Sequence, residues 1–408
     1  MRVGPGGDLE LTYCTNIHPS TGWDEVRGNL DAFAPALKHS LAPNSPFGVG
    51  LRVSAAECNA LLTGNRLSEF QAYLEDHDLY VRLLNGFVHG SFHRQVVKAE
   101  AFAPDWRDEA RVAYTLSMVQ ILGTLLPEGS EGGISTPPLS YKRWVHTGDR
   151  GMWEAVTQNI VRIAAALFRL RQISGKLIHL DIEPEPDGLV ESTPEVVAFF
   201  TDWLFTHGAP YLAADIGVSA DEAVVHLREH VRVCVDCCHL AVEYETPEPM
   251  WRQLSTAGIK IGRLQVSSAL EAALPEDPAA RTEVVYRLKP FADSTYLHQV
   301  IERTGDGVIR RHRDLDDALV TAAKPGTSLW RIHFHVPLFV EEYEGLSSTQ
   351  SYTLSALELL QRTGFARHLE IETYTWDVLP PGMKIELLDS VAREYRWVLD
   401  QFHGGAAL

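Results

Sequence analysis

The sequence has no apolar run approaching the roughly 20 residues of a membrane helix, and its start, MRVGPGGDLELTYC, lacks a signal peptide's apolar stretch. Direct membrane insertion is not expected, and the cytoplasm is the expected compartment. The chain is also short of cationic side chains. Against 54 Asp plus Glu stand 36 Lys plus Arg, a formal charge of -18 that repels phosphate backbones and makes nucleic acid an unexpected partner. Five cysteines, an odd number, do not form a disulfide framework. Cys234 and Cys237 make one CxxC, but no second completes a zinc ribbon, and strand alternation would split the two thiols onto opposite faces. These cysteines read as small buried hydrophobes. No GxGxxG follows the first strand-like run, which argues against a dinucleotide-binding sheet.

What is present is a repeating rhythm. With 408 residues, 45% of them hydrophobic, the chain can bury one large core. Strand-like runs occur at Leu9 to Asn16, Phe47 to Val53 and Leu79 to Phe87, then at KLIHLDIE, VRVCVD, IKIGRLQV, WRIHFHV and HLEIETY. Helical periodicity lies between them, at Asp24 to Lys38, about Asp105 to Leu126, Trp153 to Ile173, Thr193 to Phe205 and Asp221 to Glu229. Eight such strands in a chain of this length predict an α/β fold, a (β/α)₈ TIM barrel occupying residues 1–408 as one domain. The stretch from about Leu274 to Lys324 does not fit one strand-helix unit, and is expected to be an insertion or lid between strands six and seven. GSEGGISTPPLSYKRW reads as a loop, either a lid or a connector.

The most informative stretch is KLIHLDIEPEPDG, Lys176 to Gly188. An apolar strand ends in Glu183, Glu185 and Asp187, while Pro184 and Pro186 stop the ladder. A carboxylate there costs several kcal/mol roughly unless a cation or hydrogen bonds compensate it. Later strand ends repeat the pattern. In a barrel the active site lies at the strands' carboxyl ends. In chain order those ends carry Asn16 and His18, Arg52, Asn85, Glu183, Asp236 with His239, Gln265 with Ser267, His333 with His335, and Glu372 with Tyr374. Glu183, Asp236, Gln265 and Glu372 form an oxygen donor set suited to a divalent ion such as Mn²⁺ or Mg²⁺, with Zn²⁺ or Co²⁺ also open because imidazoles stand nearby. Asp181 and Glu370 share the inward parity but lie deeper, where structural hydrogen bonding is expected. Arg52, Lys142, Arg143 and Arg263 are available to a substrate phosphate, though none sits in a phosphate motif.

IEPEPDG, VDCCHLAVE, LQVSS and IETYTWDV fall in the order and spacing of the xylose isomerase-like barrels, the sugar isomerase and epimerase superfamily, which this chain resembles. Glu183, the Asp236 and His239 pair, and Glu372 match that superfamily's strand-four glutamate, strand-five D-x-x-H and strand-eight glutamate. Gln265 stands where many members have histidine. LTYCTNIHPSTGW, LLNGFVHGSFH, PDWRDEARVAYT and HFHVPLF further resemble the EboE family of metabolite traffic proteins, from a gene cluster linked to secondary-metabolite export. The resemblance implies a small-molecule substrate, and partner proteins encoded in the same cluster. It also implies dual duty for Glu183 and Glu372, as metal ligands and as acid and base.

The expected chemistry is isomerisation or epimerisation of a sugar, sugar phosphate or cyclitol-like compound. A proton leaves carbon beside a carbonyl, and a metal stabilises the enediolate that develops. His239, His333 and His335 are expected to hold substrate oxygens, with His18 and Asn16 at the first strand's end. Trp376, Trp23 and Phe92 are expected to form an apolar wall. Two other classes stay open: a metabolite-binding or traffic protein on the same barrel without turnover, and a metal-dependent hydrolase.

Overall fold

A run of branched and apolar residues, closed by a turn and answered by an amphipathic helix, buries both its faces in a parallel sheet covered by helices, as a closed barrel provides. The computed structural model describes residues 1–4, 6–384 and 386–403 and shows that arrangement. The barrel strands are Leu9–Tyr13, Phe47–Arg52, Leu79–Asn85, Glu131–Thr136, Leu177–Ile182, Val231–Asp236, Ile261–Val266 and His368–Ile371, called here strands one to eight. Each pairs in parallel with its neighbour in the chain from strand two to strand seven. Strand eight joins strand seven to strand one, and a bridge from Cys14 to Gly50 closes the ring. Helices such as Trp23–Leu41, Glu109–Leu125, Arg150–Ser174 and Leu387–His403 cover the outside. Local signals start several of them: Ser54 and Ser219 each form a capping box with a glutamate three residues on.

The barrel and its strand number are as expected, but the membership differs. EGGIST, expected to lie in a loop, is strand four, and WRIHFHV is not a barrel strand. KLIHLDIE, VRVCVD and IKIGRLQV are therefore strands five, six and seven. Strand four has little apolar content because its neighbours fill the space it faces. A Cβ at Gly132 would lie 2.5 Å from the Arg82 carbonyl oxygen, and one at Gly133 would lie 2.4 Å from an Asp181 carboxylate oxygen. Glycine fits there, and hydrophobic alternation cannot announce it.

The insertion is also larger than expected and sits between strands seven and eight. It builds a second, antiparallel sheet in the order Ile309–His312, Val300–Thr304, Ser328–His335, Ala269–Leu274, Leu346–Ser348 and Glu342–Tyr343. WRIHFHV lies near its centre, buried on both faces, which explains why it reads like a barrel strand. This sheet meets the barrel at its carboxyl end.

Inside the barrel, long charged side chains replace the usual branched aliphatics. The guanidinium of Arg263 donates to Asp181 at 3.2 Å, to Glu370 at 2.9 Å and to the Leu84 carbonyl at 3.2 Å, all of them inaccessible to solvent. Asp181 and Glu370 thus have the structural hydrogen bonds expected of them, and Arg263 is committed to the core rather than to a ligand.

Candidate functional site

Three carboxylates converge above that charged layer. Glu183 follows strand five, Asp236 ends strand six and Glu372 follows strand eight, and each offers an oxygen within 4.8 Å of the other two. All three are buried. Two amides from across the barrel hold Glu372: Asn16 Nδ2 donates to its Oε1 at 2.6 Å and Asn85 Nδ2 at 3.1 Å. Asp236 Oδ1 accepts from the His239 backbone at 2.9 Å, capping the helix Cys237–Val242, and from Ser267 Oγ at 2.8 Å. Glu183 Oε2 and Asp236 Oδ2 have no hydrogen-bond partner although buried. Burial, and then the charge of Asp236, push the Glu183 carboxyl well above the usual carboxylate range. Burial, then Glu183 and Asp236, do the same to Glu372. Negative charge gathered so closely away from water requires protons or a cation.

Three histidines stand beside this cluster. His239 lies at the start of the helix after strand six, and its Nδ1 is 3.1 Å from the Pro184 carbonyl oxygen. A carbonyl only accepts, so Nδ1 carries the proton and Nε2 keeps its lone pair. His333 and His335 come from the insertion's strand Ser328–His335, where the pairing shifts register between Ile332 and His335. That irregularity brings both rings near His239, at centroid distances of 4.5 and 5.6 Å. His333 faces the cavity, with Nδ1 2.7 Å from Gln299 Oε1 and Nε2 3.4 Å from the Tyr374 hydroxyl. His335 lies deeper, its Nδ1 2.6 Å from the Glu372 carbonyl oxygen and its Nε2 unpartnered. Burial holds all three imidazoles below their usual range, so they stay neutral at physiological pH.

Glu183 and Glu372 of this cluster line the floor of a cavity. Its floor is polar, with Asn16, Asn85, Glu183, Glu185, His239 and Glu372. Its walls are largely apolar and come from the segment after strand three, the insertion and the turn after strand eight, with Phe87, Phe92, Phe102, Tyr296, Leu297 and Tyr374 among them. Phe92 is thus part of the wall, as expected.

The remaining expected residues are placed differently. His18 lies outside the cavity lining: its Nε2 is 3.2 Å from the Tyr13 hydroxyl and its ring packs on Phe33 at 4.3 Å. Burial lowers its pKa to about 3, as fits a neutral core histidine. Trp376 and Trp23 also pack in the main core, Trp23 edge-on to Phe70. Gln265 is fully buried on strand seven, but its Oε1 accepts from the Cys234 thiol at 3.0 Å and its Nε2 is unpartnered. Two groups were under-read in the sequence. Glu185, buried at the floor with its Oε2 3.8 Å from His239 Nε2, shares parity with Glu183, and that parity was its signal. Gln299 and Tyr296, from the insertion, have no sequence signal at all.

The closed barrel of eight parallel strands with helices outside it is the TIM-barrel fold. Among solved structures the chain is similar to a xylose isomerase-like TIM barrel protein from Mycobacterium smegmatis in complex with magnesium, at 12% identity over 98% of each chain and a TM-score of 0.50. Lower scores relate it to an IolI protein with a binding zinc atom, at 13% identity over 97% of this chain and 99% of that one with a TM-score of 0.46. A D-allulose 3-epimerase from Methylomonas sp. in complex with D-allulose has 10% identity over 98% of each chain and a TM-score of 0.47. Likeness at these identities speaks to the fold, and the chemistry has to be argued from the side chains. No protein-family model and no curated protein matches the chain.

Proposed function

We propose that the protein is a divalent-metal-dependent isomerase or epimerase acting on a sugar, sugar phosphate or cyclitol-like compound. One observation carries the reading: three buried carboxylates converge at a cavity that Glu183 and Glu372 line, and one oxygen of Glu183 and one of Asp236 have no hydrogen-bond partner. The donors fit a divalent cation, because three anions and a neutral imidazole supply the charge and the lone pairs that Mn²⁺, Mg²⁺, Zn²⁺ or Co²⁺ accepts. Glu183, Asp236 and Glu372 would hold it. When bound, such a cation polarises a carbonyl and stabilises negative charge on the substrate's oxygens.

The chain's own groups then have distinct tasks. Glu183 and Glu372 line the cavity at the ends of strands five and eight, which supports a role in taking a proton from carbon and returning one. Asn16 and Asn85 fix Glu372 through one oxygen and leave the other for this work. His239 and His333 present imidazoles to substrate oxygens, and the aromatic walls exclude water. The cavity's cations are already engaged. Lys98 donates to Asp314 at 2.6 Å and to the Asp293 carbonyl at 3.1 Å, while Arg52 reaches Glu57 at 3.4 Å and the carbonyls of Val88 and Gly90. Within the class, this favours an uncharged polyol over a phosphorylated one.

Membership of the EboE family, with partner proteins from the same gene cluster and a place in secondary-metabolite biosynthesis or export, is the finer reading we put on the sequence segments that resemble it. The test is proton exchange. The Mn²⁺-supplied protein is incubated in D₂O with a panel of ketoses and cyclitol ketones and followed by NMR. Deuterium should enter beside the carbonyl of at least one compound, and Glu183→Gln should lower that rate by about 10²–10⁴-fold. Binding without exchange anywhere in the panel would favour a metabolite-carrying role on the same barrel.

A further inference from the structure

We propose that His335, supplied by the insertion and not by the barrel, is the imidazole ligand of the cation at the cavity floor, and that Gln265 is not a ligand. The inference rests on the cation reading above and assigns its remaining donor.

His335 is fully buried. Its Nδ1 lies 2.6 Å from the Glu372 carbonyl oxygen, which can only accept, so the proton is on Nδ1 and the lone pair on Nε2. That Nε2 has no partner. A ring nitrogen of His335 lies within 4.8 Å of an Asp236 oxygen and of a His239 ring nitrogen, and Asp236 Oδ2 is itself unpartnered. His335 and Asp236 thus each keep one buried lone-pair atom with nothing to accept from, and Asp236 is the residue that the imidazole group shares with the three carboxylates. A ring anchored through Nδ1 to a main-chain carbonyl, with Nε2 bare, is how a ligating histidine is oriented. The anchor here belongs to Glu372, one of the three carboxylates. The Thr375 hydroxyl also donates to the His335 carbonyl, fixing the strand end from the same turn.

Gln265 is arranged in the opposite sense. Its oxygen, the only atom of the amide that ligates, accepts from the Cys234 thiol. That oxygen already accepts a hydrogen bond, whereas His335 Nε2 accepts none. The assignment has a structural consequence. Three ligands come from strands five, six and eight, and the fourth from the second sheet, so the cation ties that sheet to the barrel.

The test uses the whole protein loaded with Cu²⁺ alone or Mn²⁺ alone. Electron paramagnetic resonance of the Cu²⁺ form reads nitrogen coupling directly, and titration with Mn²⁺ gives affinity. His335→Asn keeps a side-chain donor for the Glu372 carbonyl but removes Nε2, and circular dichroism confirms that it folds. It should lose a nitrogen coupling and bind Mn²⁺ weaker by about tenfold or more, whereas Gln265→Leu should keep the coupling and stay within about threefold. His239→Gln separates the two imidazoles: it should leave the His335 coupling in place. Unchanged nitrogen coupling in His335→Asn, or loss of Mn²⁺ affinity in Gln265→Leu alone, would overturn the assignment while leaving the cation site standing. Wild-type protein that binds neither ion would remove the cation reading itself, and this inference with it.

Discussion

Buried histidines serve two purposes in this protein, and their partners tell them apart. At the site, His239 and His335 spend Nδ1 on a carbonyl; Nε2 of His239 lies 3.8 Å from Glu185 and Asp236 oxygens, and Nε2 of His335 has no partner. At the end of the helix before strand six, His230 also gives Nδ1 to a carbonyl, that of Ile178 at 2.8 Å, but its charge state is purely structural. Burial lowers its pKa from 6.5 to about 4. The unfolded chain therefore binds a proton that the folded one refuses, so the stability tied to His230 is present above pH 6.5 and is lost as pH falls toward 4. The loss should amount to about 3 kcal/mol, and His230→Asn, which keeps a donor without a titration, should flatten the slope of urea-denaturation stability between those pH values. A slope unchanged in the variant would assign the acid sensitivity elsewhere. Residue by residue, the sequence was readable where a carboxylate ended a strand, as at Glu183, Asp236 and Glu372. It misled at His18 and Trp376, whose types suit a site and whose surroundings are core. Gln265 was at the expected strand end, yet its oxygen faces Cys234.

At the scale of the element, strand four and the insertion show where periodicity fails. A strand is announced by its apolar side chains, and EGGIST has only Ile134, because Arg82, His179 and Asp181 come close to its two glycines. Gly132→Ala would set a methyl group 2.5 Å from the Arg82 carbonyl oxygen, main chain that cannot step aside. We expect a loss of about 1–3 kcal/mol in chemical denaturation, and an effect under about 0.5 kcal/mol would show that strand four has slack the structure does not display. The strand Ser328–His335 gives the reverse lesson. Its pattern matches a barrel strand because it is equally buried, and only its antiparallel partners, Val300–Thr304 and Ala269–Leu274, reveal the second sheet. Pairing partners are long-range facts that one strand's sequence does not hold.

For the molecule as a whole, the barrel's interior is a stack of charge. Arg263, Asp181 and Glu370 occupy its middle, and the three-carboxylate floor lies above them. Removing Arg263 takes the guanidinium from two buried acids, leaving Asp181 with His179 at 2.5 Å. Arg263→Met should cost about 3–5 kcal/mol in urea denaturation. A variant of near wild-type stability would mean that those acids are protonated and the ion pairs nominal. The barrel itself was legible from eight strand-like runs, and the floor of the site from carboxylates at their ends. The cavity's roof was not, since it belongs to a sheet whose residues follow no barrel period.

The central claim is that this floor holds a divalent cation, and metal content tests it most directly. The full-length protein is purified without chelator, supplied with Mn²⁺, Mg²⁺, Zn²⁺ or Co²⁺, dialysed and read by plasma mass spectrometry beside a Glu183→Gln, Asp236→Asn double variant. About one ion per chain is expected in the wild type, and loss of that ion in the variant. A wild-type protein that retains no metal from any of the four, or a double variant that retains as much as the wild type, would contradict that claim.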